Sequence, residues 1–289
     1  MQVVFNADDF GRWPTINAAV ALAHRQGVLT SASLMVTGEA VAEAVALARE
    51  VPTLAVGLHL VLAGGRAALP PKEISHLVDS RGHFPPDPAQ AGLRYFFSRA
   101  ARAELACELA AQFERFAATG LPLSHVDGHM HLHVHPTVFD LLLPLAEQYG
   151  ARGIRLPRDE LRPALRYDRR GAGPKIVWTM VFNLLCRRCL SRLAARRAAG
   201  GGRGLAVTHR VFGLLQTGQM REAYVVEVLR GLRVPTAEIY CHPATQETDE
   251  ALGPNPADLA TLLSPAVREV IVTRGLRLST YPEIESSVR

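Results

Sequence analysis

The residues best equipped for chemistry are two adjacent carboxylates near the start of the chain, Asp8 and Asp9, and a histidine-rich stretch, Ser124-His125-Val126-Asp127-Gly128-His129-Met130-His131-Leu132-His133-Val134-His135. A carboxylate combined with imidazoles is a donor set for a borderline divalent ion, and the same groups serve as acids and bases. From position 125 the odd residues of that stretch are polar, and the even ones are apolar apart from the small Gly128. An extended strand would send the odd set to one face. Successive residues on one face stand roughly 6–7 Å apart, so that face supplies one or two ligands to an ion and no more. A second strand must complete the site, and His59 and Asp9 are available. An Asp-His-His set of this kind suits Zn²⁺ or a similar ion and leaves positions open for water. Such an ion acidifies water and polarises a carbonyl. Asp8, beside the ligand Asp9, is then placed to act as general base.

The elements that must position these groups read as alternating strands and helices. Strands are predicted at Val3–Asn6, Ser31–Val36, Leu54–Leu60, Ser124–His129, Gly153–Leu156, Ala237–Cys241 and Leu276–Ser279. Helices are predicted from Pro14 to about Gln26, over Glu39–Glu50, from about Arg99 to Thr119, from Pro136 to Gly150, over Glu222–Leu232 and over Pro265–Arg274. Asp8-Asp9, His59, His129 and His242 all fall at strand ends, and the carboxyl ends of the strands form the active face of a (β/α) barrel. The pattern predicts an α/β fold: a TIM-like (β/α) barrel of seven or eight strands, with room for distortion. No glycine-rich nucleotide fingerprint follows the first strand, and no internal repeat is visible. The long connection Ala63–Gln90 is an excursion of the kind that forms lids.

The 289 residues form a single domain in this reading, with a basic, partly apolar insertion at about 159–218. Between Arg152 and Arg210 there are 15 Lys/Arg against three acids, a local balance of +12, while the remainder of the chain carries −7. The basic character therefore belongs to one segment and argues against a nucleic-acid-binding surface. Within it, Ile176–Arg197 places Trp178, Met180, Phe182, Leu184 and Leu185 before a run of arginines. This reads either as a helix packed on the barrel or as an interfacial helix facing anionic lipid headgroups. The apolar run Ile176–Cys186 is 11 residues long, well short of the roughly 20 needed to span a bilayer. Four scattered cysteines suit a reducing compartment, and Cys186-Arg187-Arg188-Cys189 lacks both a second pair and a redox turn. Asp8 follows the first residue too closely for a signal peptide. A cytoplasmic protein is expected, with peripheral attachment to the inner membrane face as the extension.

Asn6-Ala7-Asp8-Asp9-Phe10-Gly11, Gly57-Leu58-His59-Leu60 and His125-Val126-Asp127-Gly128-His129-Met130-His131-Leu132-His133 together resemble the YdjC/ChbG-like carbohydrate deacetylases of the polysaccharide-deacetylase-like superfamily. Thr30–Val36, Arg155-Leu156-Pro157-Arg158 and Cys241-His242-Pro243 fit the same pattern, which runs from Val3 to about Tyr281. In length and added segment the chain is most similar to the hopanoid-biosynthesis-associated branch, HpnK. The resemblance implies one divalent ion, Zn²⁺ or Mg²⁺, held by Asp9, His59 and His129, with Asp8 as base. It further implies that His242 protonates the leaving amine and that Arg155 orients or charge-tunes the base. Asp127, His131 and His133 would steady the ligands or touch substrate, and His125 and His135 read as structural. Gly128 and Met130 depart from the Ser and His or Gln common in the family, which bears on substrate contacts and not on the ligands. The implied substrate is an N-acetylglucosamine-type sugar, lipid-linked in the hopanoid branch or a soluble chito-oligosaccharide otherwise. A homodimer is also admitted. A non-catalytic, metal-dependent carbohydrate-binding protein is the reading from another class. A metal phosphoesterase would want a second, carboxylate-bridged ion, for which only Asp127 is to hand.

Overall fold

The computed structural model describes residues 1–200, 204–250 and 252–284; the parts of the expected domain and of the basic segment at 201–203, 251 and 285–289 lie outside the described residues. Eight strands form one parallel sheet: β1 (Gln2–Phe10), β2 (Ser31–Leu34), β3 (Ala55–Leu60), β4 (His125–Gly128), β5 (Gly153–Ile154), β6 (Arg210–Phe212), β7 (Thr236–Cys241) and β8 (Arg277–Leu278). Their spatial order is β5-β4-β3-β2-β1-β7-β6, with β8 paired to the first residues of β1. The two ends of this path meet through a single bridge between Gly153 and Ala206. There Ile154 N donates to Ala206 O at 2.9 Å and Ala206 N to Arg152 O at 2.8 Å. The result is the expected (β/α) barrel, distorted, and closed by a bridge where a regular ladder is missing.

Helices α1 (Pro14–Gln26), α2 (Val41–Glu50), α3 (Pro88–Phe97), α4 (Arg99–Ala118), α5 (Pro136–Gln148), α6 (Leu161–Tyr167), α7 (Ala172–Ala198), α8 (Glu222–Gly231), α9 (Pro256–Leu263) and α10 (Pro265–Thr273) connect the strands. Proline opens α1, α3, α5, α9 and α10, where its missing N–H is not needed and its fixed φ already suits a helix. The single helix expected from Arg99 to Thr119 has a second one, α3, ahead of it. Ser98 divides the two: its N–H closes α3 on Arg94 O, and its Oγ caps α4 by accepting from Ala101 N.

Strand alternation sorts the side chains. Val3, Phe5, Ala7, Ala32, Leu34, Val56, Leu58, Leu60, Val126, Ala237, Ile239 and Cys241 point outward and form the apolar core with the helices. The alternate residues face inward, and most of them are polar. The excursion at 61–87 has neither helix nor strand, yet it is tied down. Gln112 bonds both N and O of Val61, Glu108 accepts from Ala68 N and Leu69 N, and the Tyr95 hydroxyl donates to Leu62 O.

Two expectations need correction. The histidine-rich stretch is not extended throughout: β4 stops at Gly128, and His129–Val134 turns in a short 3₁₀ path with Met130 and His131 at left-handed φ of 53° and 56°. The two left-handed residues redirect the chain after His129, so His131, His133 and His135 do not continue the inward face of β4. The basic segment, expected as an insertion, divides in two. Helices α6 and α7 lie outside the sheet, while Ala206 and β6 belong to the barrel wall. Among the described residues no helix is long and apolar enough to cross a membrane.

Inside the barrel the neighbouring layers are tightly fitted. A methyl group at Gly57 would sit 2.4 Å from the His125 ring. Gly57→Ala should therefore cost about 1–3 kcal/mol, as overpacking a closed core does, and an unchanged urea midpoint would show that the His125 layer has slack.

Candidate active site

Inward-facing positions bring distant parts of the chain to one volume at the carboxyl ends of the strands. β1 supplies Asn6 and Asp8, β2 supplies Ser33, β3 supplies His59, β4 supplies His125 and Asp127, and β7 supplies Glu238 and Tyr240, with His242 just beyond. Arg155 follows β5 directly. By alternation Asp9 should point outward with Ala7. It does not, because the β1–β2 register shifts between Ala7 and Phe10 and Asp9 takes a left-handed φ of 63°. That local reversal is how two neighbouring aspartates reach one site.

Asp9 Oδ1 lies 3.4 Å from His59 Nε2 and 3.2 Å from His129 Nδ1. The oxygen is buried and has no hydrogen-bond partner among the described residues. Two donors bound to one tetrahedral ion at about 2.0–2.1 Å stand about 3.4 Å apart, so the spacing and the orphaned oxygen fit a shared divalent ion. On its other side, His59 Nδ1 meets Asp127 Oδ1 at 2.8 Å. A proton held there leaves Nε2 free as a donor to the site, the usual role of a carboxylate behind a metal-binding imidazole. Ser33 Oγ donates to Asp127 Oδ2 at 2.7 Å and so fixes the carboxylate. Burial opposes the charge on His59, but Asp127 and Asp9 raise its imidazolium to about 10. Burial likewise opposes the charge on Asp9, yet His129 and His59 hold its carboxyl well below the usual range. A cation is wanted at this point. A second grouping, Asp8, His59 and Asp127, has similar spacing, but Arg155 already occupies it.

Arg155 is fully buried and gathers three carboxylates. NH1 and NH2 each reach an oxygen of Asp8 at 2.7 Å, NH2 lies 2.9 Å from Asp127 Oδ2, and Nε donates to Glu238 Oε1 at 2.9 Å. Asn6 Nδ2 donates to Asp8 Oδ1 at 2.8 Å. Asp8 is thus oriented on both oxygens, and His242 Nε2 stands 3.9 Å from its Oδ2. The His242 backbone N–H is held by Asp258 Oδ2 at 3.0 Å. A base and an acid that face one another across such a gap can serve two proton transfers on one small group.

His131 and His133 reach neither Asp9 nor His59. His131 Nε2 bonds the Tyr240 hydroxyl at 2.8 Å, and the Tyr240 ring lies under the Arg155 guanidinium at 4.6 Å. His133 Nε2 donates to Arg155 O at 2.9 Å. Both therefore steady the Arg155 surroundings. His125 bonds Ser33 Oγ at 3.0 Å and stacks on Tyr281 at 4.8 Å, while the His135 ring meets Tyr95 and Phe96. Asn6, Ser33, Glu238, Tyr240 and Tyr281 were not singled out in the sequence. An acid inside the otherwise apolar run Ala237–Cys241 was a usable signal for Glu238; Tyr281, whose hydroxyl donates to Glu238 Oε2 at 2.5 Å, gave none.

Residues 2–273 match the family model described as YdjC-like protein. The chain belongs to the YdjC-like family. A carbohydrate deacetylase of Geobacillus stearothermophilus is 32% identical over 287 residues, covering 97% of this chain and 96% of that protein. A carbohydrate deacetylase of Brevibacillus brevis is 44% identical over 149 residues, which span 52% of this chain and 57% of that relative's length. Among solved structures, an Enterococcus faecalis protein described as a candidate for cellobiose-phosphate cleavage superposes with a TM-score of 0.72 at 24% identity, covering 97% of each chain. That likeness establishes the fold.

The buried histidines of this YdjC-like site carry a pH signature. Burial pushes the His125 imidazolium down to about 4, whereas an unfolded histidine titrates near 6.5. The unfolded state therefore binds more protons between these values, so this contribution to stability is complete above pH 6.5 and is lost as pH falls toward 4. His125→Gln should shrink the pH 7 minus pH 5 difference in unfolding free energy by about 2 kcal/mol. Urea titrations at both pH values, with chelator present, measure this; an unchanged difference would mean that His125 does not resist protonation.

Proposed function

We propose that the protein is a metal-dependent carbohydrate deacetylase that hydrolyses the N-acetyl group of an N-acetylglucosamine-type sugar. The observation that carries this reading is the unpartnered Asp9 Oδ1 facing His59 Nε2 and His129 Nδ1 at 3.4 and 3.2 Å, next to an Asp8 engaged separately by Arg155. Asp9, His59 and His129 would hold the ion, and two imidazoles with one carboxylate favour zinc over magnesium. When bound, the ion supplies a Lewis acid for the acetamide carbonyl and for the attacking water.

Asp8 takes the proton of that water, with Arg155 and Asn6 fixing the direction of its oxygens. The hydroxide adds to the carbonyl carbon, His242 delivers a proton to nitrogen, the C–N bond breaks, and acetate and the free amine leave. Asp127 keeps His59 in the tautomer that presents Nε2. Arg155 offsets the charge of the base without touching substrate. His131 and His133 hold Arg155 and Tyr240 in place.

The finer reading is that the sugar is lipid-linked, as the headgroup of a hopanoid. Its support is an exposed apolar margin on both sides of the turn that begins at His129. Leu93, Phe96 and Phe97 of α3 are exposed on one side, Met130 on the turn, and Ile176, Val177, Trp178, Met180 and Leu184 of α7 on the other. Phe96 reaches the His135 ring and Phe182 the His131 ring, so both helices abut the turn that begins at His129. Peripheral contact with a membrane belongs to this reading through the first half of α7. The second half packs inward by Cys186, Cys189 and Leu193, with Arg188 and Arg192 paired to Asp140 and Arg196 to Glu147.

Acetate released from an N-acetylglucosaminyl lipid in anionic vesicles and from chitobiose tests both levels. Chelator should abolish release and zinc restore it. Asp8→Asn should lower turnover by about 10²–10⁴-fold, the span of a lost general base, while sugar binding persists. The lipid should be the better substrate; preference for chitobiose would replace the finer reading, and release from neither would overturn the deacetylase reading.

A further inference from the structure

We propose that Arg12 is a positioning residue that restricts Asp9 to one metal-binding oxygen, and that Glu250 is the clasp holding Arg12 there; the proposal rests on the metal-centre reading above. Arg12 follows the acidic pair and sits at the rim of the barrel. Its NH1 lies 3.3 Å from Asp9 Oδ2, the oxygen turned away from His59 and His129. The same NH1 donates to Glu250 Oε2 at 2.9 Å, and NH2 pairs with Glu250 Oε1. The guanidinium lies over the Trp13 ring at 4.0 Å, which fixes its plane.

Glu250 reaches this point from the loop that follows His242. The base of that loop is pinned where Asn255 N donates to His242 O at 2.8 Å and Ala244 N to Asn255 O at 3.1 Å, and Thr245 N donates to Thr15 O at 3.1 Å. One arginine therefore connects the carboxylate of the metal site with the segment that carries His242.

The chemical consequence concerns ligand count. With Oδ2 engaged by Arg12, Asp9 offers only Oδ1, and Asp9, His59 and His129 then contribute three donors. Three donors with an open position suit a small four-coordinate ion such as zinc. A carboxylate free to bind through both oxygens adds a fourth donor and suits ions of higher coordination number, of which manganese is a convenient probe. A guanidinium beside a dication is repulsive, and the Glu250 carboxylate offsets that charge. Arg12 thus sets ion selectivity without touching ion or substrate.

Competition of the chelator-stripped full chain against a chromophoric chelator, with Zn²⁺ and Mn²⁺ in turn, tests this. Arg12→Met should lower the zinc-over-manganese affinity ratio by about fivefold or more, because the carboxylate gains its second donor. Glu250→Gln should shift the ratio in the same direction by less, and Arg12→Lys should restore part of it. A variant that merely folds less well loses affinity for both ions in parallel; an unchanged ratio in Arg12→Met and Glu250→Gln would overturn the proposal. Wild-type protein that binds neither ion would instead remove the metal-centre reading, and this inference with it.

Discussion

A guanidinium inside a barrel has no water to solvate it, and Arg155 is fully buried. What makes it tolerable is the ring of acceptors around it: Asp8, Asp127 and Glu238. Each of those carboxylates would be as costly alone, and breaking a buried ion pair by removing one partner typically costs about 3–5 kcal/mol. The arrangement is therefore mutual, and it fixes more than charge. Because the planar fork binds both oxygens of Asp8, that carboxylate has one orientation. Because the same guanidinium meets Asp127, the carboxylate behind His59 is fixed by the group that fixes Asp8. One arginine cannot neutralise every acid in the pocket. Asp9 lies outside its reach, and Asp127 together with Asp9 raises His59 to about 10 in spite of its burial. A bound dication is the alternative way to meet that deficit.

This demand shapes the barrel. Its apolar core lies between sheet and helices, on the outward residues of every long strand. The interior is given over to polar groups near the carboxyl ends and is stopped below by a small separate cluster of Val4, Ala206, Tyr281 and Ile284. Tyr281 joins the two regions, since its ring stacks on His125 while its hydroxyl reaches Glu238. Stability resides in the outer layer, which leaves the inner face free to concentrate charge.

The alternation of strands and helices was legible because short strand-like segments with apolar outward residues stand between helical patterns, several of them opened by proline. Asp8, Asp9, His59 and His129 were legible as a set because each stands at the end of a strand-like segment, and the geometry brings the last three together. Three features were not legible. The end of β4 was missed because the polar–apolar alternation continues unbroken through His135, while the backbone leaves the strand at Gly128 with two residues at positive φ. Asn6 and Ser33 acquire their roles from register across neighbouring strands, and Tyr281 from where the end of the chain returns to the barrel, neither of which a local pattern encodes. The pairing of Arg12 with Glu250 spans 238 positions and depends on where a loop folds back.

Asp8 and Asp9 have the same side chain and adjacent places in the chain, yet one is bound by an arginine and the other faces two imidazoles. The difference lies in one torsion. At ordinary strand φ, Asp9 would project into the outer core between Ala7 and the helices, where an unpaired carboxylate costs far more than the site could return. At φ 63° it turns to the mouth, and the left-handed conformation costs about 1–2 kcal/mol for a residue with a Cβ. Glycine would remove that strain and with it the carboxylate; asparagine would tolerate the torsion and surrender the charge. Aspartate meets both demands, because its short polar side chain visits this region more readily than most and its carboxylate answers the two histidines. The register shift beside β2 supplies the space for the turn. The strain at Asp9 is thus the structural condition for aiming two consecutive carboxylates at different partners, one at Arg155 and the other at His59 and His129.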